Sequence, residues 1–503
     1  MSATAISSRA CLPSSSSVAL STAASIVSVP VLACCLRRSR LVVMTGCYIQ
    51  TQCSVLCSDT VFGYRFRTHE EVIDVDHNQL RALSAQLSYL RESSPWYRQR
   101  LREAGIGTAE LSPAEVAALP RFDKHQHRLS QEASLRELGH PYGLHLCADP
   151  GSLRAVHATS GTSGMPTYYT FTEADLRTND EAVAAGLAAA GVRPGDAVLH
   201  AYALSMFVGG VPWVRGIQAL GAAALPIGAE GGTARLLQFA TTIRPRVLCC
   251  TPSFAEHLIE RAPQVAGVEV GELGIELLIC GGEAGAGDPA VRAILENAYG
   301  AEVRDVQGGA WGHFAVSCEA QDGMHLVTPE NVLLEALDPE TGEPLPLDHG
   351  TIGNLALTSL RWEAGPVLRY DMADTARFLT EPCACGRPGL RYQLLGRTDD
   401  MIIVNGVNVH PSAVRDVVAS FHPEVSGVIR VVVEGREPRV SPPVDVQVEA
   451  GPGSGADGDL AARIEGRLRD ALRFRARVEI VEPGSLGRSD HKTPLLLRTE
   501  KTR

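Results

Sequence analysis

The chain has 503 residues, with 46 Lys and Arg against 57 Asp and Glu, a formal net charge of -11 and 45% hydrophobic residues. That length supports two or three domains with a large core. The acidic balance excludes a general nucleic-acid binder, whose affinity rests on neutralising phosphates, and a charged fraction of 20% excludes a wholly disordered or multi-span membrane chain.

Residues 1–70 stand apart. They are rich in Ser, Ala, Val and Cys, and their first 65 residues carry a single acid, Asp59. Residues 18–36 are apolar but broken by Pro30, and Arg37, Arg38 and Arg40 follow. A poor signal anchor, a transit peptide and a non-native leader all fit, the last best, and the segment is expected to lie outside the fold. Six of thirteen cysteines fall before residue 60 and the other seven are scattered. That is no disulfide framework, so the body of the chain is expected to be reduced and cytoplasmic.

Next, Leu80, Leu83, Leu87 and Leu90 recur at helical spacing, and a second helix runs from Pro95 to Ala104. Between 150 and 395, short apolar runs alternate with helical stretches, which argues an α/β core with a parallel sheet. Residues 246–251 and 276–282 read as buried strands, and Asp288 with Pro289 opens a helix to Tyr299. Beyond Gly396 the pattern becomes a small α+β unit. It has helices at 411–420 and 460–474, strands at 428–433, 444–449 and 477–481, and a Gly-rich turn at 451–458.

The strongest local signal is the run from Thr159 to Thr167. Ser160, Gly161, Thr162, Ser163 and Gly164 offer hydroxyls and backbone N–H groups suited to phosphate oxygens. No Gly-Lys-Ser/Thr follows, so it is not a Walker A loop. Gly281, Gly282 and Glu283 follow one strand, and the run from Asp305 through Gln307 to Gly308 follows another. Further on come Arg369 to Asp374, a stretch from Leu395 to Pro411 that contains Arg397, Asp399 and Asp400, and Gly484 to Lys492.

This order and spacing resemble the ANL adenylate-forming superfamily, and more narrowly the phenylacetate–coenzyme A ligase family, from about residue 78 to the C-terminus. The resemblance implies a large α/β N-terminal domain at 71–395 and a small mobile α+β lid at 396–503. It implies that a carboxylic acid, aryl or similarly apolar, reacts with ATP to give an acyl-adenylate, and that coenzyme A then displaces AMP. It also implies use of Mg²⁺. Ser160 to Gly164 would hold the β- and γ-phosphates. Gly281, Gly282, Glu283, Asp305 and Gln307 would line the adenine pocket. Asp374 would bind the ribose hydroxyls, with Asp371 as second choice, and Arg397 would reach the nucleotide. Asp399 would be the hinge and Lys492 the adenylation lysine. Tyr202, Leu204 and Phe207 are candidates for the acyl pocket.

Three positions depart from the family pattern. Met165 replaces a lysine, Gln307 replaces the aromatic that stacks on adenine, and Trp311 stands where a Mg²⁺-binding glutamate is expected, with Ala310 before it. An amide synthetase with an amine acceptor and a non-catalytic nucleotide-binding relic therefore remain open beside the ligase. Cys318, His325, Cys383 and Cys385 form a three-sulfur, one-nitrogen set suited to structural Zn²⁺. The expected partners are small molecules only, without nucleic acid or membrane, for a monomer or homodimer.

Overall fold

The computed structural model describes residues 77–107, 111–159, 166–398, 400–404, 407–435, 439–451, 458–487 and 494–499. Residues 1–70, Ser160 to Gly164, Met165, Asp399 and Lys492 lie outside the described residues.

The helices His77–Ser93 and Pro95–Glu103 arise where the leucine spacing predicts them. Leu83, Leu87 and Leu90 are buried with Tyr97 and Leu101 against Leu333, Leu360 and Leu368. Five strands then lie side by side in parallel: Ala223–Pro226, Ala197–His200, Val247–Cys250, Leu277–Gly281 and Glu302–Gly308. Successive side chains on a strand point to opposite faces, which divides the apolar residues between two cores. Leu248, Cys250, Leu278 and Cys280 meet the helices Thr233–Ile243, Pro252–Ala266 and Pro289–Tyr299 on one face. Val247, Cys249, Leu277 and Ile279 meet Glu173–Ala190 and Val211–Ala219 on the other.

The alternation of strand and helix expected through residue 395 stops at Gly308. From there the sheet continues through Phe314–Ser317, Met324–Leu326, Arg391–Arg397, Tyr370–Leu379, Ile352–Ser359, Val332–Leu337 and Pro344–Leu345, each antiparallel to its neighbours. Most of the connections here are too short for a crossover helix, and tight turns join only antiparallel strands. Among the described residues the complete sheet has 12 strands.

Residues 402–478 hold a separate hydrophobic core. The strands Ala476–Val481, Val444–Ala450, Val425–Glu434 and Leu496–Thr499 form its four-stranded sheet, and the helices Pro411–Ala419 and Gly458–Leu472 contribute to the same core. The strand Leu496–Thr499 has no counterpart in the sequence reading. It pairs in parallel with Val431 to Glu434. Among the described residues no helix is long and apolar enough to cross a membrane.

Candidate active site

The parallel strands end together, and in such sheets ligands bind beyond the carboxyl ends. Gly281 closes one of these strands. A side chain there would stand 2.5 Å from the Val306 carbonyl oxygen on the next strand, so only glycine lets the two backbones approach. Gly282 has a φ of 84°, which glycine adopts without strain. The Glu283 carboxylate accepts the Ser253 backbone N–H at 2.8 Å, which fixes this loop to the first turn of Pro252–Ala266.

Glu302–Gly308 carries Asp305 and Gln307. Burial pushes the Asp305 carboxyl up to about 7, with Arg292 opposing the shift. Gln307 Nε2 donates to Asp374 Oδ2 at 2.8 Å, and Tyr392 Oη donates to Gln307 Oε1 at 2.6 Å. Arg397 Nη1 donates to Asp374 Oδ1 at 3.2 Å and to the Met372 carbonyl at 3.1 Å. His313 Nε2 lies 3.0 Å from Tyr392 Oη. Asp374, Gln307 and Arg397, read separately from the sequence, thus form one hydrogen-bonded network. Asp371 turns instead to its own turn and accepts the Ala373 N–H at 2.8 Å, so Asp374 is the carboxylate of the network.

The segment from Tyr202 to Phe207 follows the parallel strand Ala197–His200. Tyr202 Oη donates to the Ile279 carbonyl at 3.1 Å, and its ring lies edge-on to Trp213. The Glu230 carboxylate accepts the backbone N–H of Leu204 at 3.0 Å and of Ser205 at 3.1 Å. The Met206 carbonyl accepts the Ala158 N–H at 2.7 Å. Ala158 ends the strand Ala155–Ala158, which pairs antiparallel with Tyr168–Phe171. This hairpin brackets residues 160–165, and Thr159 N–H donates to the Thr167 carbonyl at 3.1 Å at its neck. Gln131, fully buried on the helix Lys124–Leu138, grips the same hairpin. Its Nε2 donates to the Pro166 carbonyl and its Oε1 accepts the Tyr168 N–H, both at 2.9 Å.

Trp311 has a φ of 67° and is buried. Its Nε1 donates to the Gly365 carbonyl at 2.9 Å, and its ring packs on Tyr169 and Tyr370. Ala310 is buried beside it. Neither offers an oxygen ligand, so the residues at the expected carboxylate position do not fit Mg²⁺.

Cys318, His325, Cys383 and Cys385 come together, with one ligand atom from each within 4.8 Å of the others. Cys318 Sγ and Cys383 Sγ are 3.6 Å apart, and Cys385 Sγ and His325 Nε2 are 3.4 Å apart. A tetrahedron with Zn–S bonds of about 2.3 Å has S···S edges of roughly 3.8 Å, so the two short contacts are close to those of a zinc site and the donor set suits that metal. His325 pairs across the sheet with Arg391, the residue before Tyr392.

Several contributors went unread in the sequence. Tyr392 and Gln131 lie in an ordinary strand and helix, and Glu230 lies in a Gly-rich turn, with no local signal in any of them. Arg369, at φ 42°, forms a buried ion pair with Glu335 at 3.1 Å and also donates to the Ala117 carbonyl. It holds the backbone that leads into Asp371 and Asp374. Arg415, on Pro411–Ala419, donates Nη2 to Glu256 Oε1 at 2.6 Å, and both side chains are buried.

A half-parallel sheet that aims a glycine loop, an acid–amide–guanidinium network and a hairpin toward one end, followed by a separate α+β core, defines an adenylate-forming enzyme of the ANL superfamily. The family described as AMP-binding enzyme C-terminal domain matches residues 406–497. A phenylacetate-coenzyme A ligase of Thermus thermophilus is 34% identical, over 84% of this chain and 96% of its own length. The chain belongs to the phenylacetate–coenzyme A ligase family. A structure of 2-hydroxyisobutyryl-CoA ligase in the postadenylation state in complex with 2-HIB-AMP matches with a TM-score of 0.75 at 28% identity, over 84% of this chain and 89% of that one. The same enzyme in complex with 2-HIB-AMP and CoA in the thioesterification state matches with a TM-score of 0.61 at 29% identity, over 85% and 90%.

Proposed function

We propose that this chain activates an apolar carboxylic acid, an aryl acid foremost, as its acyl-adenylate at the expense of ATP and transfers the acyl group to coenzyme A. The carboxylate attacks the α-phosphorus and pyrophosphate leaves. The coenzyme A thiol then attacks the acyl carbon and AMP leaves. The observation that carries this reading is the Gln307–Asp374–Arg397 network beside Gly281 to Glu283, in a chain with a ligase relative at 34% identity. Asp374 is assigned to the ribose hydroxyls, since a carboxylate accepts from two vicinal hydroxyls, with Gln307 and Arg397 holding its orientation. Tyr202, Leu204 and Phe207 are assigned to the acyl pocket. Ser160 to Gly164 are assigned to the phosphates, Lys492 to adenylation and Asp399 to the hinge, on their motif positions. Residues 71–395 and 396–503 are the two working parts, and the chain acts in the cytoplasm.

Zinc is assigned to Cys318, His325, Cys383 and Cys385 as a closed structural site. With four protein ligands it leaves no position for a substrate. It ties the loop at 383–387 to the strand whose neighbour carries Tyr392, and so supports the hydrogen bond to Gln307.

Acid-dependent ATP–pyrophosphate exchange over aryl and alkyl acids tests the first step, and coenzyme A-dependent release of AMP tests the second. Exchange that is followed by AMP release only with an amine would replace this reading with an amide synthetase. A folded chain that binds ATP but exchanges with no acid would replace it with a nucleotide-binding relic.

A further inference from the structure

The helix Pro411–Ala419 belongs to two cores at once. Val414 and Val418 are fully buried in the core of residues 402–478. Ala419 is buried in the core built on the parallel strands. Arg415, one turn before Ala419, points the same way. Its Nη2 meets Glu256 Oε1 at 2.6 Å, and its Nη1 lies 3.1 Å from where a side chain on Gly285 would begin. The charge of Glu283 also acts on it. Arg415 therefore sits across both anchors of the loop 281–285: the loop itself, and the helix Pro252–Ala266 whose Ser253 N–H holds Glu283. Asp416 meets Asp288 alongside.

We propose that Arg415 is a positioning residue for adenylation, which holds the C-terminal part of the chain against the glycine loop in the orientation that the first half-reaction uses. The inference rests on the ligase reading above. Its physical basis is the asymmetry of a buried ion pair. Docked, the two charges are desolvated and satisfy one another. Undocked, both are rehydrated, so the contact fixes an orientation and still releases. Removing one partner strands the other charge, and does so only in the docked state. The greater likeness to the postadenylation structure, 0.75 against 0.61 for the thioesterification one, ties the docked arrangement to the adenylation side.

The test separates the half-reactions. Arg415→Met should lower acid-dependent ATP–pyrophosphate exchange by about tenfold or more, which corresponds to 1.4 kcal/mol or more of lost docking. Thioester formation from preformed acyl-adenylate and coenzyme A should change by less than about twofold, since it does not use the docked state. Arg415→Lys should recover part of the exchange, and the Arg415→Met/Glu256→Met pair should recover more than either single variant, because no charge is left buried. Amide hydrogen exchange in residues 252–266 and 411–419 should quicken in Arg415→Met while the parallel strands stay protected. This readout needs no catalysis and so tests the contact even where the ligase reading fails. Equal losses in both half-reactions, or unchanged amide exchange, would overturn the proposal.

Discussion

Asp374 accepts hydrogen bonds from Gln307 and Arg397, and each is a charged or charge-assisted contact. Asp374→Asn keeps the shape but removes the charge, and its amide group faces two donors. Such contacts contribute roughly 1.5–3 kcal/mol each, so kcat/KM for ATP is expected to fall by about ten- to a hundredfold, through KM more than through folding. Initial rates against ATP with a parallel thermal melt check this. On the proposed assignment of the Leu204 turn to the acid, Glu230 bears on the other substrate, because it fixes the two N–H groups that shape that turn. Glu230→Gln keeps one acceptor and should raise KM for the acid several-fold, with KM for ATP changed less. Glu230→Ala should do more, and acid titrations of the two variants give the order.

At the scale of elements, the Cys318–His325–Cys383–Cys385 cluster, proposed to hold zinc, joins the strand Met324–Leu326 to the loop at 383–387. Prolonged chelation, or Cys385→Ser, should lower the melting temperature by several degrees and raise KM for ATP, because Tyr392 loses its fixed neighbour. Metal analysis should give one zinc per chain before chelation. Which elements could be read in advance follows from their range in sequence. The strands at Val247–Cys250 and Leu277–Gly281 are unbroken apolar runs, and Asp288 caps its helix through the N–H groups of Ala290 and Val291 within three residues. These are local facts and were legible. The glycine loop and Asp374 were legible as motifs. The antiparallel half was not, because its pairings are set by contacts rather than by period. Tyr392 and Gln307 lie 85 residues apart, and Arg415 and Glu256 lie 159 apart. No spacing rule reaches that far. Trp311 was recognised as a departure, but its inward packing on Tyr169 and Tyr370 is a tertiary outcome.

The whole molecule carries several carboxyls whose protonation burial favours. Asp416 is pushed up to about 8 by burial and by Asp288 beside it, and Asp305 and Glu335 are pushed to about 7 chiefly by burial. Above the ordinary carboxylate range the folded chain then holds more protons than the unfolded one. Their contribution to stability is full at low pH and is lost as pH rises to about 8. Melting temperature should therefore fall from pH 5 to 8.5 as far as these groups govern it. Asp416→Asn should exceed the parent by less at pH 5 than at pH 8.5, with the difference widening as pH rises from the ordinary carboxylate range toward about 8, which a pair of melts decides.

Among the described residues, the Ala158 N–H donates to the Met206 carbonyl, between the hairpin that brackets residues 160–165 and the turn proposed for the acid. Whatever orders one side orders the other. Linkage then makes the influence reciprocal: the factor by which acid tightens nucleotide must equal the factor by which nucleotide tightens acid, since both measure one coupling free energy. Calorimetric titration of acid with and without a non-reactive ATP analogue, and the reverse, should return the same factor, about fivefold or more. On that view the enzyme is wired to fill its two sites together and to leave neither occupied alone for long.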